Sequence, residues 1–417
     1  MTTAEEIEQL CRRAAAASHA LAKVSSRRKN IILQAMADQL NLDRERIQTA
    51  NQLDLKAGKE AGLSAAMLDR LELTDARIDG MMDGLVQLQS LRDPVGKEIK
   101  HWTRPNGLLI RKLRVPIGVV AIIYESRPNV TADAAGLCFK TSNAVILRGG
   151  KEAAHSNRAI AESLKTGGMK KNMPEYAVQL VQTLDRDGVR ELVQQDEYVD
   201  LVIPRGGEGL IRAVVDLSHV PVIKHYKGVC HTYVDVSADL GMAVDISENA
   251  KCQRPGVCNA METLLVHQDV AERFLPRVTE RLLARGVELR GDDGARKLVP
   301  EMGKALEDDW HEEYLDLILA VRVVPDIDAA IAHINTYGSK HSDAIVATDP
   351  AALKKFSGEV DAATVYMNAS TRFTDGGEFG MGAEIGVSTD KLHARGPMGL
   401  EELTTYKYVI AGDGQIR

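Results

Sequence analysis

The first ninety residues repeat their apolar positions at helical spacing. In TTAEEIEQLCRRAAAAS, Ile7, Leu10, Cys11 and Ala14 share one face, and Thr3 followed by Glu6 predicts a capping box at its start. The same period runs through RKNIILQAMADQL and DARIDGMMDGLVQLQSL to a stop at Asp93-Pro94. Then the period changes. EIKHWTRPNGLLIRKLRV predicts a hairpin turning at Pro105-Asn106-Gly107. From Pro116 to Lys224, short runs that are apolar throughout (IGVVAIIY, NAVILR, YAVQLV, VDLVIP, VPVIKH) alternate with helical stretches. Strands of this kind are covered on both faces, so they predict a parallel, doubly wound α/β domain. HTYVDV, METLLVH, ILAVRVV, DAIVAT and ATVYMN predict a second, and LTTYKYVI a terminal strand.

Composition adds boundaries to this picture. The chain has 417 residues, 44% of them hydrophobic and 27% charged, which is enough for two or three domains. A net charge of -7 opposes nucleic-acid binding, which needs clustered Lys and Arg. No apolar run reaches membrane-spanning length, and the start lacks the order of a signal peptide, so a cytoplasmic location is expected. Five scattered cysteines make a disulfide framework improbable there, and no Cys or His pairs stand at zinc spacing.

Two turns echo each other. In VILRGGKEA and LVIPRGGEGLI, Arg148-Gly149-Gly150 and Arg205-Gly206-Gly207 each follow a strand and open a helix. Glycine there lets backbone approach a ligand, and a helix N-terminus attracts phosphate. Either turn alone is explained as well by a tight connection. The pair, each with its Arg, points to a ligand, although the G-x-G-x-x-G fingerprint of dinucleotide sites is absent.

Among the cysteines, Cys11 and Cys138 lie on apolar helix faces and read as inert core, while Cys230 at a strand edge stays open. Cys258 follows Pro255-Gly256 in KCQRPGVCNAMETLLV, with Arg254 and Lys251 close enough in sequence to favour a thiolate. Cys252 ends the predicted helix LGMAVDISENAKC. A disulfide between Cys252 and Cys258, which would make a redox sensor, requires Cα atoms within about 7 Å.

QRPGVCNAMETLLV, RVPIGVVAIIYESRPNVTADA, VILRGGKEAAHSN, DAAIAHINTYGSKHSDAIV and NASTRFTDGGEFGMGAEIGVST together resemble gamma-glutamyl phosphate reductases, a branch of the aldehyde dehydrogenase superfamily acting in proline biosynthesis. The likeness spans the whole chain. It implies an aldehyde dehydrogenase-like α/β fold: a Rossmann-type cofactor domain (1–95 and 113–228, with about 370–390) and an α/β catalytic domain (229–368). A small β oligomerisation element (96–112 with 391–417) would complete a homo-oligomer. The resemblance makes Cys258 the nucleophile toward L-glutamyl 5-phosphate, supplied by glutamate 5-kinase as a transient partner. It lays NADPH along Arg148, Gly149, Gly150, Lys151, Arg205, Gly206, Gly207 and Glu208, with Lys224 and Glu313 as further cofactor contacts. Substrate contacts fall to Arg127, Arg254, Asn259, His341 and Arg372, and Asn129 in YESRPNV becomes the side-chain oxyanion donor. That loop departs from the Trp-Asn-Phe-Pro usual in aldehyde dehydrogenases.

Two departures carry chemistry. Where oxidising aldehyde dehydrogenases have Glu-Leu-Gly-Gly, whose glutamate activates water, this chain reads KHYKG from Lys224 to Gly228. Without that base the thioester is spared hydrolysis, as a reductase requires. The superfamily's Lys-Pro-x-Glu becomes Arg148-Gly-Gly-Lys151, and a base in place of the acid favours the 2'-phosphate of NADP. The alternative, an NAD(P)-dependent dehydrogenase of another small aldehyde, would turn over without phosphate.

Overall fold

The computed structural model describes residues 2–417. It divides into two compact units: Met1–Lys224 with Gly380–Gly386 and Met398–Arg417, and His225–Phe379 with Val387–Pro397. Of the stretch expected near 370–390 in the cofactor domain, only Gly380–Gly386 is grouped in the first unit, and the rest lies in the second.

The first unit opens with helices α1 (Thr3–Leu21), α2 (Ser26–Leu42), α3 (Arg44–Glu60), α4 (Ala65–Leu71) and α5 (Asp75–Ser90). The capping box of α1 is Thr2 with Glu5, one residue earlier than expected, because both adjacent threonines have a glutamate three residues on. Ser25, Ser64 and Thr74 cap α2, α4 and α5 through their hydroxyls. Helix α2 carries a buried charge: Lys29 pairs with Asp93 at 2.6 Å and donates to Lys140 O and Ser142 Oγ, both at 2.9 Å.

Strands β1 (Glu98–Thr103) and β2 (Leu109–Pro116) form the hairpin, and the C-terminal strand Thr404–Ala411 pairs antiparallel with β2. Next come β3 (Val119–Tyr124), α6 (Val130–Lys140), β4 (Ala144–Gly149), α7 (Ala154–Met169), β5 (Val178–Leu180), α8 (Arg186–Val193), β6 (Leu201–Arg205) and α9 (Glu208–Leu217). The sheet is parallel, in the order β5-β4-β3-β6. VPVIKH adds only the single bridge Val202–Val222, since Pro221 has no N–H to continue a ladder. The chain winds from β3 to β4 and β5, then returns to the other side of β3. The loops after β3, β4 and β6 therefore meet at the carboxyl edge where the order reverses, the usual ligand position in such sheets.

In the second unit, β7 (Cys230–Val234), α10 (Leu240–Cys252), β8 (Met261–His267), α11 (Gln268–Ala284), β9 (Glu288–Gly291), α12 (Asp293–Leu298) and β10 (Gly303–Lys304) come first. β11 (Ile318–Val324), α13 (Ile327–Tyr337), β12 (Ser342–Val346), α14 (Pro350–Glu359) and β13 (Thr364–Met367) follow. They build a seven-stranded parallel sheet, β10-β9-β11-β8-β7-β12-β13. Its middle is buried on both faces: Leu264 packs into one apolar cluster and its neighbour Leu265 into the other. β9 and β10 escaped the sequence reading because neither contains an apolar run. The segment Val387–Pro397 is tied to this unit by Asp361, which holds Lys391 at 2.8 Å and Arg395 at 2.7 Å. Among the described residues no helix is long and apolar enough to cross a membrane.

Candidate active site

Parallel pairing brings the amino ends of β7, β8, β11 and β12 to one edge of the second sheet. Just before those strands stand Gly228, Cys258, Glu313 and His341, which the sequence scatters over more than a hundred residues. Helix α10 ends at Cys252, an irregular loop carries Cys258, and β8 begins at Met261. Cys258 is half-buried, and its carbonyl accepts the Cys230 thiol at 3.2 Å. Burial pushes the Cys230 thiol far up, which leaves it a neutral support. Burial also raises the Cys252 thiol, helped by Glu248.

Gly228 explains why KHYKG ends in glycine. A Cβ there would lie 2.0 Å from Cys258 O and 2.5 Å from its Cα, so the two backbones touch. Backbone cannot swing aside as a side chain does. Gly228→Ala should lower turnover about a hundredfold, the order of loss that an ångström of misplacement produces, and lower Tm as overpacking does. Steady-state kinetics and thermal unfolding check this; parental kcat would show that the contact is dispensable.

Asn259 is buried, and its side-chain amide donates to Thr374 O at 2.9 Å and Arg372 O at 3.3 Å, while its backbone carbonyl accepts from the Thr371 hydroxyl at 2.7 Å. Asn259 thus ties the Cys258 loop to residues 371–374. His341 is fully buried; its Nδ1 meets Ser342 Oγ at 2.9 Å, and Ser342 Oγ meets Thr374 Oγ1 at 2.6 Å. Its ring packs edge-on against His225, centroids 5.8 Å apart.

The cations differ from the sequence expectation in one respect. Lys251 does not face the thiol: it is fully buried and ion-paired with Glu262 at 2.5 Å. Arg372 is the cation within electrostatic reach of Cys258. Burial and then repulsion from Arg254 both lower its affinity for its proton, while Gln253 accepts its Nε–H at 2.8 Å. Two guanidinium groups that repel each other, one of them within reach of a thiol, are each stabilised by an added anion. Burial raises the Glu313 carboxyl, an effect that the nearby Gly228 N–H opposes.

In the first unit, the two Arg-Gly-Gly turns lie at the carboxyl edge where the strand order reverses. Arg148 turns inward, donating to Gly149 O at 3.0 Å, Leu184 O at 2.6 Å and Asp185 O at 3.2 Å. Gly149 is dictated by packing, because a Cβ would meet Asn157 Nδ2 at 2.0 Å. Gly150 sits under Glu152, whose carboxylate accepts Ser126 N–H at 2.6 Å and Ser126 O–H at 2.9 Å. Lys151 is exposed. At the second turn Glu125 accepts Gly207 N–H at 3.1 Å and packs on Gly206. Glu208 starts α9 and pairs with Arg212 at 2.5 Å. Arg205 is half-buried and within electrostatic reach of Asp133.

The helix N-termini are less open than the turns alone suggest. Asp54 accepts Ser156 N–H at 2.8 Å and His155 N–H at 3.2 Å, so a carboxylate from α3 caps α7. Asn129 precedes α6 and donates to Asp133 Oδ2 at 3.0 Å, with burial raising the Asp133 carboxyl to about 6. Arg127 is exposed, and half-buried Lys224 ends the unit.

A family model described as the aldehyde dehydrogenase family matches residues 1–296. A gamma-glutamyl phosphate reductase of Geotalea daltonii is 55% identical over 417 residues, covering all of both chains, and one of Moorella thermoacetica matches equally. The chain belongs to the gamma-glutamyl phosphate reductase family. The crystal structure of the Thermotoga maritima gamma-glutamyl phosphate reductase superposes with a TM-score of 0.97 at 47% identity, covering 99% of this chain and all of that one. A Methanocaldococcus jannaschii glyceraldehyde-3-phosphate dehydrogenase complexed with NADP shares the fold at TM-score 0.69 and 16% identity, covering 99% of this chain and 95% of that one. As a member of the reductase family within the aldehyde dehydrogenases, the chain uses a nicotinamide cofactor, NAD or NADP.

Sequence reasoning missed Gly228 and Glu262. The second left a signal: an acid inside METLLVH, a strand read as fully buried, demands a partner.

Proposed function

We propose that this chain reduces L-glutamyl 5-phosphate to L-glutamate 5-semialdehyde and phosphate, the second step of proline biosynthesis from glutamate, through a thioester on Cys258. The observation that carries this is a half-buried thiol, backed onto Gly228, beside the paired cations Arg254 and Arg372. An acyl phosphate with an α-carboxylate brings the anions such a pair needs. The Cys258 thiolate attacks the acyl carbon; the C–S bond forms, the C–O bond to phosphate breaks, and phosphate leaves with the electron pair. The Cys258 N–H holds the oxyanion, and the family resemblance assigns the second donor to the Asn129 amide. Bound nicotinamide supplies the hydride. The thiohemiacetal oxyanion then collapses, the C–S bond breaks, and the thiolate is restored with aldehyde released.

Arg254 and Arg372 take the substrate anions, Asn259 and His341 support the loops beneath them, and the resemblance adds Arg127 as a further substrate contact. A cleft beside Gly149, lined by Asn157, Arg158, Val181, Gln182 and Leu184, receives the adenosine end of the nucleotide. Gly150, Gly206, Gly207 and Glu208 line its path at the carboxyl edge, Arg148 and Arg205 brace the two turns, and Lys224 and Glu313 meet its nicotinamide half. Lys151, exposed at the first turn, selects NADPH through the 2'-phosphate.

Lys151→Glu should therefore weaken NADPH binding about ten- to a hundredfold, the loss of one charge-assisted contact of about 1.5–3 kcal/mol, and leave NADH binding nearly unchanged. Titration of both nucleotides by fluorescence tests this; equal losses would remove Lys151 from the phosphate site. The protein acts in the cytoplasm as a homo-oligomer, joined through the three-stranded sheet, which leaves Ile99, Tyr406, Tyr408 and Ile410 exposed. Glutamate 5-kinase passes it the labile substrate.

A further inference from the structure

We infer that Glu262, anchored by Lys251, is a positioning residue that locks the nucleophile loop and the Glu313 turn into one frame; this rests on Cys258 being the nucleophile. Lys251 is the penultimate residue of α10 and Glu262 the second of β8, so their 2.5 Å ion pair joins the two ends of the Cys258 loop. Both side chains are 0% exposed.

The second carboxylate oxygen of Glu262 reaches elsewhere: it accepts the Leu315 N–H at 3.3 Å. Leu315 stands two residues after Glu313 and has φ of 54°, a region that leucine rarely adopts and that needs outside support. Tyr314 between them lies with its ring 5.8 Å from Lys251 Nζ and 5.3 Å from the Arg290 guanidinium, its hydroxyl donating to Asp309 at 2.7 Å. Glu313 in turn stands close enough to the Gly228 N–H for that group to act on its carboxyl, and Gly228 lies directly on Cys258. The circuit closes: Cys258, Gly228, Glu313, Leu315, Glu262, Lys251 and back to the Cys258 loop.

Stability alone does not explain the pair. Two buried charges lose much hydration, and apolar residues of similar volume commonly fill such a site equally well. An apolar pair has no acceptor for the Leu315 N–H. That acceptor is what the frame requires.

The decisive comparison is between Lys251→Met/Glu262→Gln and Lys251→Met/Glu262→Leu, both uncharged, of which only the first keeps an oxygen for Leu315. The Gln variant should have a kcat at least tenfold above the Leu variant, with KM for glutamate semialdehyde within about threefold and Tm equal or lower. The iodoacetamide alkylation rate of Cys258 should separate the two in the same way. Parental kcat in the Leu variant, or kcat that follows Tm in both, overturns the inference. Should neither variant fold, hydrogen exchange on the unmodified protein decides: the Leu315 amide should be protected although its side chain is exposed, and exchange at the free-peptide rate overturns the frame. Cys258→Ala assayed alongside separates the two readings, because activity retained there would refute the nucleophile whatever Glu262 does.

Discussion

Cys258→Ala is expected to lower turnover by about four orders of magnitude or more while the protein stays folded and binds nucleotide. A covalent route has no substitute for its nucleophile, so loss of the sulfur removes the pathway rather than weakening a contact. The fold should tolerate the change, because Cys258 is only half-buried and its carbonyl and backbone, which Cys230 and Gly228 touch, are unaltered. Cys258→Ser should be equally inactive. Cys252→Ser should keep most activity, since Cys252 belongs to the end of α10, where burial and Glu248 hold its thiol protonated. Steady-state rates, Tm and nucleotide titration on the three variants check the set. An inactive Cys252→Ser beside an active Cys258→Ala would reassign the nucleophile.

Much of the scaffold was legible because its signals are local. Runs apolar throughout, such as VVAIIY and METLLVH, became strands buried along their whole length, and the Pro105-Asn106-Gly107 turn sits at the tip of a paired hairpin. The loop that displays the Cys258 thiol was legible from its Pro255-Gly256 break. Glu313, His341 and Arg372 were named only through the family resemblance, and Gly228 was not named as a site residue at all, since its backbone contact with Cys258 arises through strand order, which a linear pattern does not encode. Lys251 shows the hazard of reading charge by proximity in sequence: seven positions from Cys258, it ends on the buried side of α10 against Glu262. The Arg-Gly-Gly turns show another. Their helices look open to phosphate in sequence, yet Asp54 caps α7 and Glu125 takes Gly207 N–H, acids that stand far from those turns in the chain.

The central claim is that the acyl group on Cys258 is protected from water. The segment that would carry a hydrolytic glutamate is KHYKG; of it, Gly228 is pressed on Cys258 and His225 stacks edge-on with His341. Burial raises the Glu313 carboxyl, and the Gly228 N–H acts against that rise. A thioester so placed has two good exits, hydride in the forward direction and attack by phosphate in reverse. The most direct measurement runs the reaction backward, following NADPH formation at 340 nm from glutamate semialdehyde and NADP in a phosphate-free buffer. The expected result is no more than about one turnover per Cys258 until phosphate or arsenate is added, and steady turnover afterwards. Steady NADPH production with neither anion present would mean that water cleaves the thioester, and would make the protein a hydrolytic aldehyde dehydrogenase instead.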